Sequence, residues 1–170
     1  MSVSLRLRGR GRFDGAAGDP LVTHLMETFA RYSGIDLTVR AKGDEGHHVC
    51  EDLALAIGRA LRKAFPSSGV TRFGDATVPM DETLVQVAVD LIDRPHYHAD
   101  LSPASMGEHV LRSLVTEAKI TFHQRTLRVG QEHHLLEATY KAFGLALVKA
   151  LEPSPRGFSL KGRVEWEESS

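Results

Sequence analysis

The sequence is poor in cysteine and in aromatic residues, and it contains no long apolar run. Its one cysteine, Cys50, has no partner for an internal disulfide, which excludes a disulfide framework as the source of stability. No stretch approaches the roughly 20 consecutive apolar residues of a membrane-spanning helix. The opening Met-Ser-Val-Ser-Leu-Arg-Leu-Arg alternates apolar with polar residues and lacks the continuous apolar segment of a secretory leader, so the cytoplasm is the expected location. An excess of either charge is missing too: 21 basic against 22 acidic residues leave a net charge of −1. Neither nucleic acid nor a membrane is therefore an expected partner, and any anion must be held by a local pocket. Phosphate-loop, dinucleotide-binding and nucleophile-elbow motifs are also absent.

What is present in quantity is histidine, nine residues in 170. Six of them fall in a pattern that occurs twice. His47-His48-Val-Cys-Glu51 and His133-His134-Leu-Leu-Glu137 each open a helix-like run, and His24 and His109 precede them by 23 and 24 residues. Shifting residues 47–65 by 86 positions lays them on residues 133–151 with nine of nineteen identical. A single His-His pair at a helix start is ordinarily a surface feature; two in register, each followed by the glutamate, indicate an internal repeat built around metal ligands. Cys50 is matched by Leu136 in the second copy, so it reads as a buried, inert thiol rather than a ligand.

The rest of the chain follows the repeat. Val3, Leu5 and Leu7 predict a half-buried strand, and residues 9–18 a glycine-rich hairpin or loop. Residues 20–33 predict a helix, 35–41 a strand and 47–65 a long helix with Ala54, Ile57, Leu61 and Phe65 on one stripe. In the second half, residues 84–91 predict a strand after a turn around residues 79–82. Residues 103–117 predict the matching helix, 120–127 the matching strand and 133–151 the matching long helix. The expected fold is α/β, an α+β sandwich in which a β-α-β-α half is duplicated (residues 1–82 and 83–170, one compact domain overall) and two long helices pack on one sheet.

On a helix, positions i and i+4 share a face, so His47 with Glu51 and His133 with Glu137 can approach one ion each. Adjacent histidines diverge by about 100°, so His48 and His134 face elsewhere, and the doublet suits two ions better than one. Eight candidate ligands, His24, His47, His48, Glu51, His109, His133, His134 and Glu137, allow four protein groups per ion with coordination left for substrate or water. Imidazole and carboxylate without sulfur suit manganese, iron or zinc in an open shell. The order of residues does not match the His-Glu-x-x-His helix of zinc proteases. His96, His98 and His123 have no repeat partner and read as strand or loop residues rather than ligands.

Beyond the doublets, Gly43-Asp44, Val78-Pro-Met-Asp-Glu82, Asp93-Arg94-Pro95, Ile120-Thr-Phe-His123, Lys141-Ala-Phe-Gly144 and Ser159-Leu-Lys161-Gly162 occur in this order. Together with the two His-His-x-x-Glu helices they make the chain resemble the imidazoleglycerol-phosphate dehydratase family of histidine biosynthesis. The resemblance implies a fold like the second domain of ribosomal protein S5, and a hydro-lyase that converts imidazoleglycerol phosphate to imidazole-acetol phosphate with two manganese ions per active site. It implies self-assembly as trimers within an octahedral 24-mer, with ligands of one site drawn from neighbouring subunits. By motif position the metal ligands are the eight residues above, and Arg72, Arg94, Ser159 and Lys161 bind the substrate phosphate, a role suited to guanidinium and ammonium groups. Asp81 and Glu82 are the candidate acid and base; each is equally suited to a turn or a helix cap. The proton to be removed has no adjacent carbonyl, so the imidazole ring must provide the activation.

The sequence also departs from the family. Its N-terminal Glu-Thr segment has no counterpart, Thr23 replaces an aspartate before the first ligand histidine, Thr28 a glutamine and Gln131 an asparagine. Loss of the aspartate removes an acceptor able to orient the His24 ring. A working or reduced dehydratase remains the expectation. The alternatives are a non-catalytic, metal-bridged assembly protein that binds an imidazole or phosphate ligand, and a two-metal hydrolase, for which no activated nucleophile is apparent.

Overall fold

Alternating Val3 and Leu5 place the first strand, β1 (Ser2–Arg6), with one face half-buried. A computed structural model describes residues 2–40 and 46–155, with the backbone alone at residues 46 and 47. The loop after β1 contains the two-residue strand β2 (Phe13–Asp14) and is tied down by Asp36, whose carboxylate accepts the backbone N–H groups of Arg10 at 2.7 Å and Arg12 at 3.1 Å. Helix α1 (Pro20–Ser33) begins where Asp19 accepts the Val22 N–H at 3.0 Å, has proline in its first turn, and ends at Gly34 with φ 68°. These are the residue types that satisfy the first N–H groups of a helix and permit a left-handed exit. The strand β3 (Asp36–Arg40) and the long helix α2 (Gly46–Ala64) complete the first half.

A hairpin, β4 (Phe73–Met80) and β5 (Thr83–Asp90), straddles the boundary expected between residues 82 and 83, and the chain continues with β6 (His96–Ala99), α3 (Met106–Glu117), β7 (Thr121–Arg128) and α4 (Glu132–Ala150). Strand orders are β1-β3-β2 and β4-β5-β7-β6. The duplication is visible in the pairing. β1 is antiparallel and β2 parallel to β3, just as β5 is antiparallel and β6 parallel to β7, while α1 and α3 precede the central strands and α2 and α4 follow them. β4 is an addition at the edge of the second sheet.

The mixed α/β architecture agrees with the sequence reading, but the long helices do not share a sheet. α4 lies across β4 and β5, whereas α2 packs on α3 and beside β1; α1 lies against α4. The expected 103–117 helix begins later, at Met106, because Ser105 rather than Pro103 occupies the cap position.

Close helix approach is made possible by a glycine that recurs in the repeat. A Cβ on Gly58 would stand 2.6 Å from the Leu114 carbonyl oxygen of α3, and one on Gly144 would stand 2.8 Å from the Ser33 nitrogen of α1. The core between the layers collects Phe29, Leu53, Ile57, Leu61, Leu111, Phe122, Tyr140 and Phe143, all fully buried. Among the described residues no helix is long and apolar enough to cross a membrane.

Candidate metal and substrate site

One turn into α4, the i, i+4 spacing puts His133 and Glu137 on the same face, and α1 brings His24 against them. His24 Nε2 lies 3.1 Å and His133 Nε2 3.5 Å from the same oxygen, Glu137 Oε2. The two rings stack with centres 5.7 Å apart and planes 13° from parallel. One ligand atom from each of the three residues fits within a 4.8 Å group. Lys141, another turn along α4, places Nζ 2.8 Å from the second Glu137 oxygen. Burial alone would raise the Glu137 carboxyl, but hydrogen bonds from Lys141 and His24, together with their charges, outweigh it and hold the group below the ordinary carboxylate value. Glu137 is thus an anion oriented on both oxygens.

The counterpart lies between α3 and α2, where His109 Nε2 stands 3.8 Å from Glu51 Oε1. Arg112 Nη2 is 3.3 Å from the other His109 nitrogen, Nδ1. By the repeat, His109 corresponds to His24 and Glu51 to Glu137. The pairs are therefore crossed: a histidine from each half meets the glutamate of the other half.

His134 stands edge to face with His133, their ring planes 61° apart, and meets the β4–β5 turn instead of Glu137. Asp81, at φ 47°, and Glu82 form that two-residue turn, the tight connection that favours a residue able to adopt positive φ. The ring contacts both Glu82 oxygens at 3.1 Å through Nδ1 and Asp81 Oδ2 at 3.7 Å through Nε2. The Gln131 backbone N–H, then Glu82's own N–H and His134, hold the Glu82 carboxyl below its usual value. Asp81 and Glu82 are thus turn residues and neighbours of a candidate ligand at once.

His48 is exposed in the first turn of α2. The side chain of His47, and Ser159 and Lys161, lie outside the described residues. Cys50 is fully buried, its thiol directed at the Ala17 carbonyl at 3.0 Å and pushed up in pKa by burial and by the Asp19 charge. Thr23 serves the backbone: its hydroxyl accepts the Ala17 N–H at 3.0 Å and donates to the Asp19 carbonyl at 2.8 Å. His24 takes its orientation from Glu137 instead.

The arginines occupy the opposite end of the hairpin. Arg72, at φ 73°, pairs through Nε with Asp90 Oδ1 at 2.8 Å and lies 4.2 Å over the Phe73 ring. Burial raises the Asp90 carboxyl, and the charges of Arg72 and Arg94 oppose that rise. Phe73 pairs with Asp90 and Met80 with Thr83, so the length of β4 separates this arginine pair from the Asp81–Glu82 turn by roughly 20–25 Å.

Three residues missed by the sequence reading line the metal cluster. Glu27, Arg31 and Lys141 border a cleft of about 260 Å³ together with His24, Thr28, Tyr32 and Glu137. Lys141 was discoverable from its i+4 spacing to Glu137; Glu27 and Arg31 have no motif, only a position on the His24 face of α1. A second cleft, of about 360 Å³ between Arg62, Phe65, Leu91, Asp93 and Lys119, contains none of the candidate ligands. The first cleft is the one with the chemistry.

A family model described as "Imidazoleglycerol-phosphate dehydratase" matches residues 17–147. Over 169 residues the chain is 41% identical to imidazoleglycerol-phosphate dehydratase 1, chloroplastic, of Arabidopsis thaliana, covering 92% of this chain and 63% of that one. It is 40% identical to imidazoleglycerol-phosphate dehydratase of a Parafrankia strain over 88% of this chain and 83% of the relative. The crystal structure of the Pyrococcus furiosus protein of that name, in complex with (S)-C348, superposes with a TM-score of 0.82 at 31% identity, covering 95% of each chain. The chain spans less than two thirds of the length of its plant relatives, 63% and 60%.

Proposed function

The chain belongs to the imidazoleglycerol-phosphate dehydratase family, and on that premise we propose that it is a hydro-lyase converting imidazoleglycerol phosphate to imidazole-acetol phosphate and water in histidine biosynthesis. The observation that carries this reading is the crossed pair of histidine–glutamate contacts, His24–Glu137 and His109–Glu51. The donor set fits manganese: imidazoles and carboxylates point together, and the one thiol is turned into the core. His24, His133 and Glu137 would hold one ion, and His109 and Glu51 would contribute to the second, with His47, His48 and His134 completing the two-ion set. Bound there, manganese would act as a Lewis acid toward the substrate's imidazole ring.

The protein's own groups supply the remaining functions. Arg72, held by Asp90 and Phe73, and Arg94 anchor the phosphate, with Ser159 and Lys161 of the tail. The anchor fixes the reacting carbons and makes the elimination effectively intramolecular. Lys141 Nζ, which lies against Glu137, would give a proton to the departing hydroxyl oxygen. Glu82, kept ionised by backbone N–H groups, would accept the carbon-bound proton, with Asp81 beside it.

Separation of the arginine pair from His134 along one hairpin supports sites shared between copies. We infer trimers within a 24-mer, in which one subunit's arginines serve its neighbour's histidines, and two half-repeats per subunit, residues 1–82 and 83–170. A cytoplasmic location belongs to the same reading. The test is steady-state turnover of imidazoleglycerol phosphate by manganese-reconstituted protein, with metal content measured on the same sample. Product formation is the expected result; full manganese loading without turnover would leave a metal-bridged binding protein.

A further inference from the structure

Three histidines take no part in the site above, and the second sheet collects them. β6 is an edge strand running parallel to β7, with His96 opposite Thr121, Tyr97 opposite Phe122 and His98 opposite His123. Tyr97 and Phe122 turn inward, their rings stacked 5.5 Å apart. Because side chains alternate along a strand, His96, His98 and His123 all emerge on the outer face, where each is exposed.

The spacing of one pair is that of ligands, and the third ring stands wider. Ring centres of His96 and His123 are 4.9 Å apart, and those of His98 and His123 are 6.2 Å apart. Two imidazoles bound to one tetrahedral ion, each through a nitrogen about 2.0–2.1 Å from it, hold their ring centres about 5 Å apart. On the other flank, His123 faces Ala88 of β5, whose methyl group leaves the space above the sheet open. The supporting backbone is pinned: the Asp100 N–H donates to Gln124 Oε1 at 2.7 Å, and the Thr121 hydroxyl donates to the Arg94 carbonyl at 2.9 Å.

We propose that His96, His98 and His123 form a separate surface site for a divalent transition-metal ion of the zinc, nickel or copper type. The composition discriminates against manganese: three neutral imidazoles favour the later ions of the divalent series, in which manganese binds most weakly. Asp100 supports the site from outside. One of its oxygens lies 3.8 Å from His98 Nε2, while the other is held by Arg125 at 3.0 Å and the Thr126 N–H at 3.1 Å; it orients the His98 ring rather than binding the ion. The rings stand tilted at 37° and 42°, with nitrogens less tightly gathered than in the two acidic clusters. Binding would require the rings to turn about their side-chain torsions to bring one nitrogen of each onto the ion. Three protein ligands leave a position open for water or an anion. The proposal departs from the sequence reading, in which the three residues are not ligands.

The experiment is a difference measurement. The full chain and the double variant His96→Asn/His98→Asn are each dialysed to equilibrium in the same zinc buffer, and bound zinc is counted per chain. Zinc in the manganese-type sites is common to both and cancels. The expected result is one zinc fewer per chain in the double variant, and the same loss in His123→Asn, whose changed residue lies on the other strand. Circular dichroism identical to that of the parent ties the loss to ligands rather than to unfolding. Equal zinc counts in parent and variants would overturn the proposal.

Discussion

His24 and Glu137 are 113 residues apart in sequence and meet at 3.1 Å, nitrogen to oxygen. The contact joins the first helix of one repeat to the last helix of the other, and Glu137 is shared with His133 and Lys141.

His24→Ala and Glu137→Gln should each weaken manganese binding by roughly tenfold or more, since a direct ligand is at least as important as the outer-shell partners whose loss costs about 10–100-fold. Both residues sit at the margin of the core, so the unfolding midpoint of the metal-free protein should move little. Metal analysis and thermal unfolding on the same preparations would test this; unchanged metal content would remove the residues from the site.

Thr23→Ala should act on stability alone. The hydroxyl ties Ala17 and Asp19 to the start of α1, and its loss should cost about 1 kcal/mol in urea unfolding. Manganese content should stay at the parent value, because the His24 ring is oriented by Glu137.

Gly58→Ala and Gly144→Ala should both be destabilising, by about 1–3 kcal/mol each, the range for overpacking. The added methyl group meets backbone atoms of α3 in one case and of α1 in the other. Denaturant titration would show comparable losses; a neutral effect at either position would mean that the helices separate more easily than their packing indicates.

The sharing of glycines, ligands and strand order between halves explains why so much was legible in the sequence. His47, His48, Glu51 and Gly58 recur 86 residues later as His133, His134, Glu137 and Gly144, so each assignment was made twice. β4 had no such support. Gly74 and Pro79 argue against a strand, yet Gly74 lets the Ala146 carbonyl approach closely, and an edge strand tolerates proline because one side of its backbone has no ladder to maintain. Arg31 and Glu27 were hidden for another reason: their importance comes from the crossing of α1 over α4, which no local pattern encodes, whereas Lys141 carries the i+4 spacing to Glu137 as its signal. The His96–His98–His123 group likewise depends on strand order.

Acid should loosen the N-terminal loop. Backbone N–H groups of Arg10 and Arg12 lower the pKa of Asp36 below its ordinary 3.8, so its contribution to stability is fully present above that value and is lost as pH falls through the lower folded-state value. Asp36→Asn should therefore be less stable than the parent at pH 7, with the gap closing below about pH 4. Unfolding free energies measured from pH 2 to 7 would reveal a constant gap if the contact contributed nothing.

Arg94→Ala should raise the KM for imidazoleglycerol phosphate by roughly tenfold, the effect of about 1.4 kcal/mol of lost binding, and leave manganese in place. An unaltered KM would take Arg94 out of the phosphate pocket.

The crossed histidine–glutamate pairs bear on how such a chain could arise. A free half would carry the upstream histidine and the helix glutamate without the partner each meets across the halves, and would acquire these pairs only by meeting a second half. Tethering converts that encounter into an intramolecular one, with an effective concentration on the order of millimolar for a short linker. Fusion of two halves thus makes formation of both pairs independent of how dilute the protein is, and it leaves each half free to diverge: the first can keep Cys50 where the second has Leu136, and the second sheet can gain β4 and its hairpin turn at the junction without disturbing the pairs.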